Sequence, residues 1–301
     1  MTSPNHTSES TVHAIVLTFN ARESVTRCVD ALLAQSRPPE HILVVDNGST
    51  QTVADLVGRS PSIEVLRLDD NLGPAGGHAF GLQHFVDSGP RGSWAWVLDD
   101  DCLPETNALE LLLADADAHG AGVIFPRTVD TQEGAPVVGV GWWGVLIPHA
   151  AVVAAGVPEA DLFWWIEDTE YLQWRMPRAG YPSRIADDAV VRIERTRPSR
   201  AKPAWKYYYE ARNTVYYRFR VQRRDTVPDF AKNLTFRTRA WRATRSIGKL
   251  AWRSMVVEDR DRMRKFAMVG RGTADGLLGH LGRRVAVSTA DRPTGPPAGT
   301  R

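Results

Sequence analysis

The sequence predicts an α/β fold with a mostly parallel central sheet, and three observations carry that prediction. Short apolar runs alternate with stretches of helical spacing, polar residues close those runs at one end, and one run stops in three adjacent carboxylates. Residues 14–19 (AIVLTF) form the first expected strand, ending at Asn20, and residues 25–34 carry apolar side chains at helical spacing. Residues 41–45 (HILVV) give a second strand that runs into Asp46-Asn47-Gly48-Ser49. A short helix over 52–57 and a strand over 64–68 follow. The loop 69–77 opens a helix that runs to Val86, and Trp94-Ala95-Trp96-Val97-Leu98 supplies the next strand. A helix over 106–118 and a strand over 122–125 complete an alternation that implies right-handed βαβ units.

Ligands of such sheets gather beyond the carboxyl ends of the strands. Thr18 and Asn20, Asp46 and Asn47, and Asp99 to Asp101 all close strands and so fall along one edge. Three adjacent acids repel one another unless a cation sits among them, and carboxylate oxygens suit Mg²⁺ or Mn²⁺, which hold phosphate oxygens in turn. The alternative is a solvated acidic turn. The glycine loop at 73–77 brings backbone N–H groups to the same edge, which favours anions. It lacks G-x-G-x-x-G and has no following Lys, so the expected nucleotide site uses a metal rather than a dinucleotide fingerprint or a P-loop.

Composition narrows the class. The chain has 301 residues, 43% of them hydrophobic, enough for one large domain or a domain with an appendage. Two cysteines, Cys28 and Cys102, argue against a disulfide framework and fit a reducing compartment. Residues 1–11 are polar without a basic flank, so no secretion signal is expected. Residues 137–157 run 21 positions without a charge, but their glycines, Pro148 and His149 read as a strand, a turn and a short buried helix rather than a membrane span. The net charge of +2 hides a split: residues 1–190 hold 10 Arg, no Lys and 26 acids, whereas residues 191–301 hold 27 Lys and Arg against 9 acids. Between Phe230 and Lys265 there are 11 cations and three acids, interspersed with Trp241, Ile247, Leu250 and Trp252. That mixture suits an anionic membrane surface or RNA, or else packing against the acidic part.

Four segments in order, Ile15 to Asn20, Val44 to Ser49, Asn71-Leu72-Gly73-Pro74-Ala75-Gly76-Gly77 and Leu98 to Asp101, resemble glycosyltransferase family 2 over roughly residues 12–220. The branch they resemble most contains galactofuranosyl- and rhamnosyltransferases. The resemblance implies a GT-A fold, inversion at the transferred sugar and a nucleotide-sugar donor, UDP- or dTDP-linked. By the same resemblance Thr18, Asn20, Asp46, Asn71 and Asp100 bind the donor nucleotide, and Asp99 and Asp101 hold Mn²⁺ or Mg²⁺. The segment Phe163 to Arg175 resembles the family's catalytic helix start. An inverting transfer needs a carboxylate to take the acceptor hydroxyl proton, so Asp168 is the expected base, with Glu167 as alternative. Trp164 and Trp165, with Trp142 or Trp143, offer flat faces to an acceptor sugar, while Glu170 and Arg175 stand at spacings that would orient the acid pair.

One departure stands out: the family's His near 189–195 is missing, and no His lies between Ala150 and Leu250. Glu194 is a substitute ligand, or Arg192 and Arg195 bind the diphosphate directly. His78, His84, His119 and His149 are read as structural or surface residues. Arg212 and Asn213 either close over a diphosphate or belong to a packing helix. The expected organisation is a disordered 1–11, a catalytic domain over 12–220, a basic helical region over 221–290 and a disordered 291–301. The expected protein is peripheral on the cytoplasmic face of the plasma membrane, acts on a lipid-linked or cell-wall glycan, and does not bind nucleic acid. The rival readings are a catalytically idle lipid- or nucleic-acid-binding protein with the same sheet, and a metal-dependent phosphohydrolase.

Overall fold

The structure is a computed structural model that describes residues 11–131, 134–137, 139–194, 202–222 and 234–287. Of the expected disordered ends 1–11 and 291–301, all but Thr11 lie outside the described residues, as do Arg195 and Phe230 and Lys232 of the basic stretch. The chain divides into two compact units, one of Met1–Ala160 with Glu167–Arg195 and one of Asp161–Ile166 with Thr196–Arg301.

The first unit carries an eight-stranded sheet. Its strands are β1 (Val12–Thr18), β2 (His41–Asp46), β3 (Ile63–Arg67), β4 (Trp94–Asp99), β5 (Cys102–Pro104), β6 (Val123–Asp130), β7 (Trp143–Pro148) and β8 (Ser183–Ile193), in the order β3-β2-β1-β4-β7-β6-β8-β5. The first four pair in parallel, as do β6 and β8, while β7 runs antiparallel to both β4 and β6 and β5 antiparallel to β8. The sheet is therefore mixed, with its larger parallel part built from the first four strands.

Both faces of β1, β2 and β4 are dry. Val12, Ala14 and Val16 of β1, Ile42 and Val44 of β2, and Trp94, Trp96 and Leu98 of β4 face α1 (Arg22–Leu33) and α3 (Ala108–His119). The alternate residues Ile15, Leu43, Val45, Ala95 and Val97 face α2 (Gly73–Ser88) and α4 (His149–Ala155). Period-2 alternation with both sides apolar explains why these strands read as continuous hydrophobic runs. In α3 the buried Leu109, Leu112, Leu113 and Ala116 recur at helical spacing and mark the stripe that covers the sheet.

Within the expected strand-and-helix stretch the structure places β7 at 143–148 and the short α4 at 149–155, while Val138 lies outside the described residues. Where β7 meets β4 the register slips between Val97 and Leu98. Gly144 supplies the extra residue at φ +87, and its carbonyl accepts the indole N–H of buried Trp96 at 2.9 Å. A side chain at Gly144 would also meet Val191 at 2.9 Å, so glycine is required twice over.

The second unit is helical, with α6 (Ala204–Tyr216), α7 (Phe236–Trp252) and α8 (Arg262–Leu278) packed together. Tyr207, Tyr208 and Tyr209 are all fully buried. Three consecutive helical residues point in three directions, so α6 is the enclosed helix of this unit. Among the described residues no helix is long and apolar enough to cross a membrane.

Candidate active site

Registers bring the strand ends together. Thr18 pairs with Asp46 across β1 and β2, and Leu17 pairs with Asp99 across β1 and β4. Strand parity then sorts the side chains: Thr18 and Asp46 continue the α1 face, and Asp99 continues the α2 face. The three expected acids are partly exposed at the end of β4, and Thr18 donates its hydroxyl to Asp100 at 2.8 Å.

Asp46 is fully buried and holds its turn, accepting the Ser49 N–H at 2.9 Å. Arg67 lies 3.5 Å from its other oxygen and donates to the Ser49 carbonyl at 2.6 Å. Gly48 makes the turn possible at φ +74, where a side chain would meet the Asp70 backbone at 2.8 Å. Asn20 sits in the left-handed region at φ +52; its N–H donates to Ser49 and its side-chain oxygen accepts the Thr50 N–H. Asn47 ties this turn to the glycine loop, donating to the Gly73 carbonyl at 3.0 Å and accepting the Leu72 N–H at 2.9 Å. Asn71 in turn accepts the Gly73 N–H at 2.8 Å and opens α2. Thr18, Asn20, Asp46, Asn71 and Asp100 thus belong to one continuous polar framework at the carboxyl ends of β1, β2 and β4.

His78 is the residue that sequence reasoning missed. It lies on α2, fully buried, with Nε2 3.0 Å from Asp99 Oδ1 and its ring stacked on buried Trp142 at 4.4 Å. Its signal was phase: four residues before Leu82 and seven before Phe85, it shares their sheet-facing stripe. Burial depresses the imidazole to about 3, so it is neutral. Burial and then the Asp168 charge push Asp99 up to about 7. Asp168 is raised as well, by burial, although Thr169 donates to it through N–H at 2.5 Å and hydroxyl at 3.1 Å. Asp99 and His78 are in contact, and Asp168, which starts the helical segment Thr169–Arg175 continued by α5 (Met176–Arg178), acts on both through its charge. Glu167 beside it is buried.

Several expectations are revised. The segment Thr169–Arg175 is π-helical, so residues five apart share a face. Glu170 and Arg175 therefore pair with each other, at 2.7 and 3.1 Å, rather than with the acid pair, and Arg175 also donates to the Val157 carbonyl. Trp142 is buried against His78 and offers no face to a sugar. Glu194 donates its N–H to the Asp101 carbonyl, but its carboxylate pairs with Arg27 at 2.6 Å, and Arg192 pairs with Glu105 at 2.6 Å. His149 is nearly buried against Phe85, as a structural residue.

Trp164 and Trp165 belong to the second unit. Trp165 is exposed, and the two rings lie 5.3 Å apart, with Lys202 5.7 Å and 5.8 Å from their centroids. Phe163, Trp165 and Ile166 all have φ between +61° and +79°, a costly set for bulky side chains. Arg212 and Asn213 on α6 hold that loop. Arg212, fully buried, donates to the carbonyls of Asp161 (3.0 Å), Leu162 (2.8 Å) and Gly282 (2.6 Å). Asn213 donates to Leu162 and Trp164 at 2.8 Å and to Trp165 at 3.0 Å. The packing reading of this pair is the one the geometry supports.

Comparison with known proteins agrees with this architecture. The model of Glycosyl transferase family 2 matches residues 13–154. Galactofuranosyltransferase GlfT1 of Mycolicibacterium smegmatis is 31% identical over 204 residues, covering 57% of this chain and 67% of that protein. GlfT1 of Mycobacterium tuberculosis is 29% identical over 211 residues, covering 60% of this chain and 68% of that protein. Among solved structures, S. aureus TarS aligns at TM-score 0.60 and 15% identity over 87% of this chain and 48% of the TarS chain. TarS 1–349 in complex with UDP-GlcNAc aligns at 0.55 and 15% identity over 89% of this chain and 92% of that one. The sheet is that of the GT-A fold. The chain belongs to glycosyltransferase family 2. It is accordingly a glycosyltransferase, and the phosphohydrolase and idle-binding alternatives are set aside.

Proposed function

We propose that this enzyme transfers galactofuranose from UDP-galactofuranose, with inversion, to a hydroxyl of a lipid-linked cell-wall glycan at an anionic membrane surface on the cytoplasmic side. The contact of Asp99 with buried His78 at the carboxyl end of β4, with the charge of Asp168 acting on both, carries the reading. The names of the GlfT1 relatives favour galactofuranose over rhamnose, and the UDP-GlcNAc and UDP complexes of TarS favour uridine over deoxythymidine. Residues 12–220 are the proposed catalytic segment and 221–290 the basic region.

In this reading Asp46 accepts from the base imide, Thr18 and Asn20 border the base and ribose, Asn71 shapes the loop beside them, and Asp100 faces the ribose or donor sugar. Among the described residues no three His, Cys, Asp or Glu side chains are already assembled as a metal cage. Two strand-end carboxylates fit a hard divalent ion all the same, because Mg²⁺ takes one or two carboxylates and completes its shell with water and substrate phosphates. Asp99 and Asp101 would hold it, and a cation would offset the burial and the Asp168 repulsion that raise Asp99. When bound, Mn²⁺ or Mg²⁺ neutralises charge on the leaving diphosphate.

The acceptor hydroxyl oxygen attacks the anomeric carbon from the face opposite the diphosphate. The bond from that carbon to the diphosphate oxygen breaks, UDP leaves with the electron pair, and Asp168 takes the hydroxyl proton. Burial lifts Asp168 toward the pH at which it serves as a base. Glu167 is the alternative base, and Trp164 and Trp165 would stack on the acceptor sugar.

Calorimetry with UDP and dTDP, with and without Mn²⁺, tests the donor site. UDP binding that needs Mn²⁺ and is lost in Asp99→Ala supports it, whereas binding of neither nucleotide refutes it. Asp168→Asn should keep nucleotide binding and lose turnover by about 10³-fold or more.

A further inference from the structure

Of the exposed large apolar side chains in the second unit, six gather at the connection between α7 and α8. Trp252, Met255, Val256 and Val257 end the first helical run, Met263 and Phe266 begin the second, and all six are exposed, Met263 by 69% and Trp252 by 60%. Trp241 lies eleven residues before Trp252, three turns along α7, so the exposed tryptophans share a face. Exposed cations ring the same tip: Lys249, Arg253, Arg260, Arg262 and Arg264, against the exposed acids Asp259 and Asp261.

The tip is built rather than frayed. Its one interior acid, Glu258, is fully buried and accepts from Lys265 at 2.5 Å and from the Tyr207 hydroxyl at 2.7 Å. Arg253 lies 3.6 Å from the same carboxylate, and Arg262 donates to the Glu258 carbonyl at 2.5 Å. These bonds tie the polar groups beneath the turn and leave the aliphatic and indole groups outside. A soluble surface gains nothing from six outward apolar side chains at one turn. An anionic bilayer does: the apolar groups enter the acyl boundary while the flanking Arg and Lys reach phosphates, as in interfacial helices.

We infer that the α7–α8 connection is a membrane wedge, with Trp252, Met255, Val256, Val257, Met263 and Phe266 inserted into an anionic lipid surface and the surrounding cations on its headgroups. This deepens, and rests on, the proposed membrane-surface partner, and it names the part of the chain that makes the contact.

The test is sedimentation of the full chain with vesicles of phosphatidylcholine alone or with ~25% phosphatidylglycerol. Wild type should bind the anionic vesicles and not the neutral ones, less tightly as salt rises. The variant Trp252→Ser/Val256→Ser/Val257→Ser should lose about tenfold or more in vesicle affinity. Its urea midpoint and nucleotide binding should match wild type, and Val256→Leu should restore binding to a variant carrying only the other two changes. The inference is overturned if the triple variant binds as wild type does, or if wild type ignores anionic vesicles. A wild type that self-associates through this tip without lipid, the triple variant being monomeric, equally overturns it in favour of a second copy. Nucleotide binding is read separately in solution, so failure of the donor site and failure of the wedge give different results.

Discussion

Replacing Asn213 by Ala separates two roles for the Arg-Asn pair of α6. The side-chain amide serves the carbonyls of Leu162, Trp164 and Trp165, and its oxygen accepts from Arg212 at 2.7 Å. In Asn213→Ala the Leu162 carbonyl keeps Arg212, while the carbonyls of Trp164 and Trp165 and one Arg212 N–H lose their partners. Each orphaned buried group costs about 1–3 kcal/mol. With solvent reaching the exposed side of Trp165, the expected loss is roughly 2–4 kcal/mol of unfolding free energy. The clamp also holds the left-handed backbone of Trp165 and β-branched Ile166, a conformation that persists only where its surroundings impose it. Urea unfolding measures the loss, and calorimetry with UDP measures the alternative. A variant with unchanged urea stability and UDP affinity reduced tenfold would place Asn213 on the diphosphate and refute the bracing role.

Two further outcomes follow from the same structure. Asp99 titrates near 7 in the fold, above its ordinary 3.8, so its ionisation opposes folding: the penalty is absent below about pH 4, grows as pH rises to 7 and then levels off. A third of its side chain meets solvent, so the value is discounted, and in chelator Asp99→Asn should be more stable than wild type by roughly 1–2 kcal/mol at pH 8 and equal to it near pH 4, by urea titration at both; destabilisation at pH 8 contradicts this. In α8, a methyl at Gly276 would meet the Arg212 carbonyl at 2.4 Å and one at Gly272 the Tyr208 carbonyl at 2.3 Å, both backbone atoms of α6. Gly276→Ala should cost about 1–3 kcal/mol despite its better helix propensity, and a rise in melting temperature would count against close α6–α8 packing.

The parallel half of the sheet was legible because strands buried on both faces leave apolar runs that need no partner to be recognised, as in β1, β2 and β4. The strand-end polar residues were legible for the same reason, since each run stops where burial stops. β5, at three residues, was too short to carry a period, and the reversal of β7 is a matter of long-range pairing that composition does not encode. The pairing of Glu170 with Arg175 was out of reach of a 3.6-residue reading because the backbone there follows the wider π turn. The loop at Phe163 to Ile166 carries no Gly or Asn to announce its left-handed conformation; the announcement lies fifty residues downstream, in Arg212 and Asn213.

His78 reconciles two opposed demands on Asp99. As the proposed cation ligand Asp99 must be an anion, yet burial drives this carboxylate toward its neutral form. A neutral imidazole that donates Nε2–H at 3.0 Å favours the anion without adding a charge of its own. The tautomer follows from the surroundings: Nδ1 is buried and meets no hydrogen-bond partner among the described residues, and a bare lone pair there costs less than a bare N–H. Burial keeps the ring from taking a second proton, which would cancel the charge a divalent ion requires. Stacking on Trp142 then fixes the ring plane, so the donor direction is set by the α2 face and the β4–β7 connection rather than by solvent. A surface histidine at this position would satisfy neither demand, since it would titrate in the working range and rotate freely. The placement of His78 in the apolar stripe of α2 therefore belongs to the chemistry of the strand-end acids as much as to the core.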